Sequence, residues 1–126
     1  ESDPAIGSLV HVLREILSTR QAIVVAAGDL SHIGPAFGGR QVDFVGRARL
    51  RAFDGEMIEQ ICAGDAQGFM VAGGHGGNRY NVCGLPPIYL ALRTLSPVRG
   101  EQVTYDLCPA DETATSLVSV CGIILR

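Results

Sequence analysis

Apolar residues recur every three or four positions near the start of the chain, from Ile6 to Leu17. This spacing places them on one face of a helix. Asp3 and Pro4 precede the stripe as an N-cap and a first-turn proline, so the sequence predicts a helix of about four turns. His11 falls off the stripe and is expected to face solvent.

A continuous run of β-branched and small residues, from Gln21 to Gly28, follows this helix. An apolar run without alternation is typical of a strand buried on both faces, as in a parallel sheet. A helix followed by a buried strand is half of an α/β repeat. Residues 29–40 are then expected to form a loop at the carboxyl end of that strand, where open α/β sheets build their sites.

The middle of the chain predicts three further helical regions. Helical spacing covers about residues 41–63, and Gly46 and Gly55 allow for two separate pieces there. Asp65 is expected to cap a short helix that includes Phe69. The prolines after residue 85 suit the start of a deeply buried apolar helix, which ends before Pro97.

Two strands are predicted near the C-terminus, one alternating at residues 102–107 and one buried at residues 117–125. The glycine-rich stretch 73–78, which contains His75, is expected to be a flexible loop, because it lacks the spacing of a phosphate-binding or dinucleotide motif. Few strands and several helices indicate an α/β fold, a layered sheet flanked by helices. Because a buried strand at 22–27 needs neighbours on both sides, either the sheet is small or another polypeptide segment completes it.

Length and composition limit the number of domains, the kinds of binding partner and the cellular compartment that we expect. A chain of 126 residues with 47% hydrophobic residues is expected to form one globular domain. The formal net charge of −3 and the lack of a basic stripe argue against nucleic acid. No apolar run reaches the roughly 18 residues of a membrane span. The four cysteines form no C-x-x-C pair, which argues against a structural zinc site, and we expect a cytoplasmic protein with reduced thiols.

The first candidate chemistry lies in the loop that begins at Gly28. Asp29 and His32 are three residues apart, which in a turn brings both side chains to one side. A carboxylate beside an imidazole suits acid/base work or the wall of a metal pocket. The alternative is that Asp29 or Ser31 caps a turn and His32 only packs.

The second candidate is Cys83, which stands just ahead of the predicted helix at residue 85. The partial positive charge of a helix N-terminus favours the thiolate, the form that binds metal or attacks an electrophile. The alternative is a small buried hydrophobic residue, the commoner role of a free cysteine. A cysteine nucleophile with His32 as its base would make the chain a hydrolase.

Three motifs in order, GDLSHIGP, NVCGLPPI and SLVSVCG, give the chain a resemblance to the Memo family, which includes AmmeMemoRadiSam system protein B. The resemblance covers almost the whole chain. It implies a fold similar to class III extradiol dioxygenases, a mixed sheet between helices. The chain resembles the C-terminal half of that fold, since the family's N-terminal half with two metal-binding histidines has no counterpart here.

The resemblance also implies roles for individual residues. His32 matches the pocket histidine, with an acid/base role, and Asp29 is its catalytic neighbour. Cys83 matches the cysteine that replaces the dioxygenase's carboxylate ligand, so it is the expected metal ligand. Neighbouring motif residues are expected to line the substrate pocket: Ser31, Asn81 and Gly84.

The resemblance finally implies a metal- or substrate-binding pocket for non-haem-iron-type chemistry on a small molecule. The expected metal is Fe(II), or copper or zinc. The pocket is expected to be incomplete, because the family's two N-terminal histidine ligands have no counterpart here, so that this chain alone can lack the metal. Expected partners are a second copy of the chain, a missing N-terminal half or partner subunit, and radical SAM and AMMECR-type proteins. The alternative function is a non-catalytic peptide-binding adaptor or a scaffold subunit.

Overall fold

The computed structural model describes residues 3–74 and 77–126, so His75 lies outside the described residues. Within them the chain has the α/β architecture expected from the sequence, with four helices and a three-stranded antiparallel sheet. The helices are α1 (Pro4–Thr19), α2 (Phe44–Ala63), α3 (Ala66–Gly74) and α4 (Leu85–Leu95), and the strands are β1 (His32–Ile33), β2 (Gly100–Pro109) and β3 (Leu117–Leu125).

The helices begin where the sequence places capping carboxylates. Asp3, Asp43 and Asp65 each accept a hydrogen bond from a backbone N–H in the first turn of α1, α2 and α3. Helix α2 is one continuous helix despite its two internal glycines, and α3 extends through Gly74 into the stretch expected to be a loop. No helix of the described residues combines the length and apolarity needed to cross a membrane.

The sheet has the order β1-β3-β2, and both pairings are antiparallel. Strand β2 pairs with β3 over the whole length of β3, whereas β1 pairs with it at Leu117 and Val118 only. The core lies where α2, α3 and α4 pack together. Its fully buried side chains include Met57, Phe69 and Leu92.

The prediction of a doubly buried strand at residues 21–28 is wrong, and so is the parallel sheet inferred from it. This segment is in no strand, and the side chains of Ile23 and Val25 are 90% and 78% exposed. An apolar cavity of about 600 Å³ is lined by this segment, by the second half of β3 and by α4. A strand needs hydrogen-bonding neighbours as well as apolar side chains. The described residues supply no neighbour here, so the apolar pattern alone gave a false strand.

The loop at residues 29–40 contains two short elements that the sequence pattern did not predict. These are β1 and a single 3₁₀ turn, Pro35–Phe37. The Leu30 N–H donates to the Ser119 carbonyl, and the Ser119 N–H donates to the Ser31 carbonyl, both at 2.9 Å. The loop is therefore fixed against the start of β3, which positions Asp29 and His32 at the end of the sheet.

Candidate functional site

Two glycines bring the loop after residue 28 against the start of α4. A Cβ on Gly84 would lie 2.6 Å from the Asp29 carbonyl oxygen, and a Cβ on Gly28 would lie 2.7 Å from the Cα of Gly84. The Gly84 N–H donates to the Asp29 carbonyl at 2.8 Å. Only residues without a Cβ permit this approach of two backbones. Asp29 and Cys83, 54 residues apart in the chain, therefore become neighbours.

The side chains of Asp29, His32 and Cys83 converge at this contact. One potential ligand atom from each lies within 4.8 Å of the other two. His32 Nε2 is 3.5 Å from Asp29 Oδ2, and the Asp29 N–H donates to Cys83 Sγ at 3.2 Å. The structure thus brings together the three residues that the sequence singled out. Their catalytic and metal-binding roles stay predictions.

The hydrogen bonds of His32 fix which ring nitrogen is available. Nδ1 lies 2.9 Å from the carbonyl oxygen of Asn81. A carbonyl only accepts, so Nδ1 carries a proton, and Nε2 is the ring nitrogen that faces Asp29. Asn81 Nδ2 donates in return to the His32 carbonyl at 3.1 Å. Asn81 has a φ of 50°, a left-handed conformation that asparagine adopts more readily than most residues.

Ser31 lies beneath the site and does not line it. The sequence predicts a pocket-lining serine, but Ser31 is fully buried and its hydroxyl donates to Asp54 Oδ1 at 2.7 Å. The Tyr105 hydroxyl donates to the other carboxylate oxygen at 2.7 Å. Burial, with that hydrogen bond, raises the pKa of Tyr105 above its ordinary value. Gly84 is buried too, and its contribution is the backbone approach described above.

A cavity of about 230 Å³ adjoins the other side of His32. Phe37 and the imidazole are T-shaped, with ring centroids 5.2 Å apart, and Asn81 is among the residues that line the cavity. Sequence reasoning missed the charged side chains around it. They come from three separate parts of the chain, so no local pattern marks them: Arg40, Arg49 and Arg79.

The three converging groups fit a divalent transition metal. An imidazole nitrogen, a carboxylate oxygen and a thiolate sulfur are ligands that zinc and iron accept, and three protein ligands leave a position open. The 3.5 Å between His32 Nε2 and Asp29 Oδ2 suits two ligands that are each about 2.1 Å from one tetrahedral ion. Sequence reasoning gave Asp29 an acid/base role or a place in the wall of a metal pocket, and the geometry also makes it the third possible ligand.

The family comparison agrees with the motifs that build this site. A family model described as Memo-like protein matches residues 2–124, nearly the whole chain and both loops of the site. Comparisons with curated proteins and with solved structures give no match. The extent of the family match settles the assignment: the chain belongs to the Memo-like protein family.

Proposed function

We propose that Asp29, His32 and Cys83 bind a divalent transition metal and that the site acts on a small molecule, with chemistry of the non-haem-iron type. The observation that carries this proposal is the orientation of His32 Nε2. The Asn81 carbonyl orients it toward two further ligand groups. A metal-binding histidine usually donates its other ring N–H to a carbonyl or carboxylate in this way.

Each residue has a distinct part in the proposed site. His32 Nε2, an Asp29 oxygen and Cys83 Sγ would be the ligands, and Asn81 is a positioning residue. The Asp29 N–H donates to Cys83 Sγ at 3.2 Å, a hydrogen bond that would also reach a metal-bound sulfur. A bound metal would supply Lewis-acid or redox chemistry at the open position. Candidate ions are Fe(II), zinc and copper, since all three accept mixed nitrogen, oxygen and sulfur ligands.

Metal content is the direct test. The chain is incubated anaerobically with Fe(II), Zn(II) or copper, desalted, and analysed by elemental mass spectrometry. We expect near-stoichiometric metal in the unmodified chain and a loss of about tenfold or more in Cys83→Ala and His32→Ala. Cys108→Ala is the matched control, because Cys108 is also an exposed cysteine but lies in β2, outside the cluster.

The two outcomes separate the proposed function from its alternative. Retention of metal by Cys108→Ala but not by Cys83→Ala would support a site built on the three residues. An unmodified chain that takes up none of the ions would contradict the proposal. It would then favour the metal-free adaptor or scaffold role that the family resemblance also allows.

A further inference from the structure

The cavity beside His32 is surrounded by positive charge. Arg40, Arg49 and Arg79 all line it, and no aspartate or glutamate of the described residues does. This concentration is unusual for a chain whose formal net charge is −3 and which has only 10 basic residues. The cavity is open to solvent through exposed side chains of all three arginines.

No ion pair or side-chain hydrogen bond between described residues involves any of the three arginines, whereas others, such as Arg14, hold backbone carbonyls. Arg79 lies over the Tyr80 ring, 5.7 Å from its centroid, a contact that uses none of its N–H donors. The carboxylate of Asp43 caps α2 by accepting from the Gly46 N–H at 2.7 Å, and it makes no ion pair with any of the three arginines. Three guanidinium groups around one cavity repel one another, and a bound anion would relieve that repulsion.

We propose that this cavity binds the carboxylate or phosphate group of a small acidic ligand. Guanidinium groups match both oxyanions with paired N–H donors, which favours arginine over lysine at such sites. The cavity, at about 230 Å³, is smaller than the roughly 300–1,000 Å³ of pockets for drug-sized ligands. It therefore suits a small acid or the anionic end of a longer molecule.

The position of the cavity links this ligand to the site. His32, Phe37 and Asn81 form the part of the cavity wall that is nearest to the candidate metal-binding residues. The Phe37 ring offers an apolar surface to the small molecule. If the proposed function holds, the ligand is the substrate, with its anionic end on the arginines and its reactive part beside His32. Only this last step rests on the proposed function, because oxyanion binding by the arginines requires no metal.

Binding of two simple probes to the metal-free chain tests the inference. Inorganic phosphate and acetate are titrated separately at low ionic strength, and binding is followed by NMR shifts of backbone amides around residues 32–49 and 79–81. We expect saturable binding of at least one probe, weakened about tenfold or more by Arg49→Gln and by Arg79→Gln. The preferred probe distinguishes a phosphate ligand from a carboxylate ligand.

Arg20→Gln is the matched control, since Arg20 is also exposed and lies outside the cavity. The inference is overturned if neither probe binds, or if Arg20→Gln weakens binding as much as the cavity variants do. Metal content of the same variants keeps the two proposals separate. We expect Arg49→Gln and Arg79→Gln to retain metal, and His32→Ala and Cys83→Ala to lose it.

Discussion

At residue 84 the backbone of α4 begins so close to the Asp29 carbonyl that a methyl group has no room. Gly84→Ala should push the two loops apart, because the added Cβ meets backbone atoms that cannot rotate away. We expect an unfolding free energy lower by about 1–3 kcal/mol and a clear loss of bound metal. Urea unfolding and metal content measure both effects. Gly7→Ala is the control, since its Cβ would meet nothing within 4 Å, and a similar loss in it would refute this account.

The half-buried thiol of Cys121 makes the stability of the fold sensitive to alkaline pH. Burial, with smaller contributions from Asp54 and Cys62, raises the pKa of Cys121 from 9.0 to about 11. The folded chain therefore keeps a proton that the unfolded chain loses. The stability due to this proton is complete below pH 9.0 and is lost as the pH rises toward about 11.

Cys121→Ala should make the unfolding free energy fall less steeply across this pH range. Urea unfolding at several pH values gives the slope, which is a better measure than the absolute stability because the substitution also removes packing. Tyr105 adds to the same alkaline loss in both proteins, since its pKa is also raised in the folded state. Equal slopes for Cys121→Ala and the unmodified chain would contradict the prediction.

Single residues differ in how far the sequence reveals them. Asp29, His32 and Cys83 stand in recognisable motifs, and the structure places them together. Ser31 stands in the same motif but points into the core, where its hydroxyl donates a hydrogen bond to the buried Asp54 carboxylate. A motif gives spacing along the chain, whereas the direction of each side chain depends on distant residues such as Tyr105.

Among the elements, α2 contains a glycine that lowers the stability of the helix. Gly55 lies in the middle of this helix, and a Cβ there would meet nothing within 4 Å. Gly55→Ala should raise the unfolding free energy by about 0.5–1 kcal/mol, because alanine loses less backbone entropy in a helix. Thermal or urea unfolding measures the gain.

Gly73 in α3 contrasts with Gly55, because an added Cβ at Gly73 would meet neighbouring side chains. A Cβ there would overlap Leu85 Cδ2 and lie 3.0 Å from Met57 Sδ, where α3 packs on α4 and α2. Gly73→Ala should therefore destabilise the fold by about 1–3 kcal/mol. Stabilisation by both substitutions would show that the contact between these helices does not depend on a glycine.

The elements also show where pattern reading stops. Periodicity and capping residues predicted α1, α2, α3, α4, β2 and β3, because those signals are local. The same reasoning failed at residues 21–28, where an apolar run reports a preference for burial but not the presence of a neighbouring strand. It also missed β1, since a two-residue strand is defined only by its pairing with β3.

At the scale of the whole molecule, the sheet is paired unequally on its two sides. Strand β3 is fully paired with β2, but on its other side it meets β1 for two residues only. The exposed apolar segment 21–28, which shares a cavity with the second half of β3, carries no charged residue. The sequence left two alternatives for residues 22–27, a small sheet or a further segment beside them. The sheet is small, and Ile23 and Val25 are exposed.

An uncharged, exposed and unpaired apolar segment favours pairing with another chain. A second copy suits it, because antiparallel pairing about a two-fold axis sets Val24 against Val25 and places no charge in the contact. We expect concentration-dependent self-association in analytical ultracentrifugation, strongly reduced in Ile23→Lys. Val103→Lys is the control, since Val103 is also exposed but lies on β2. A chain that stays monomeric at every concentration, or an Ile23→Lys variant that associates like the unmodified chain, would rule out this contact.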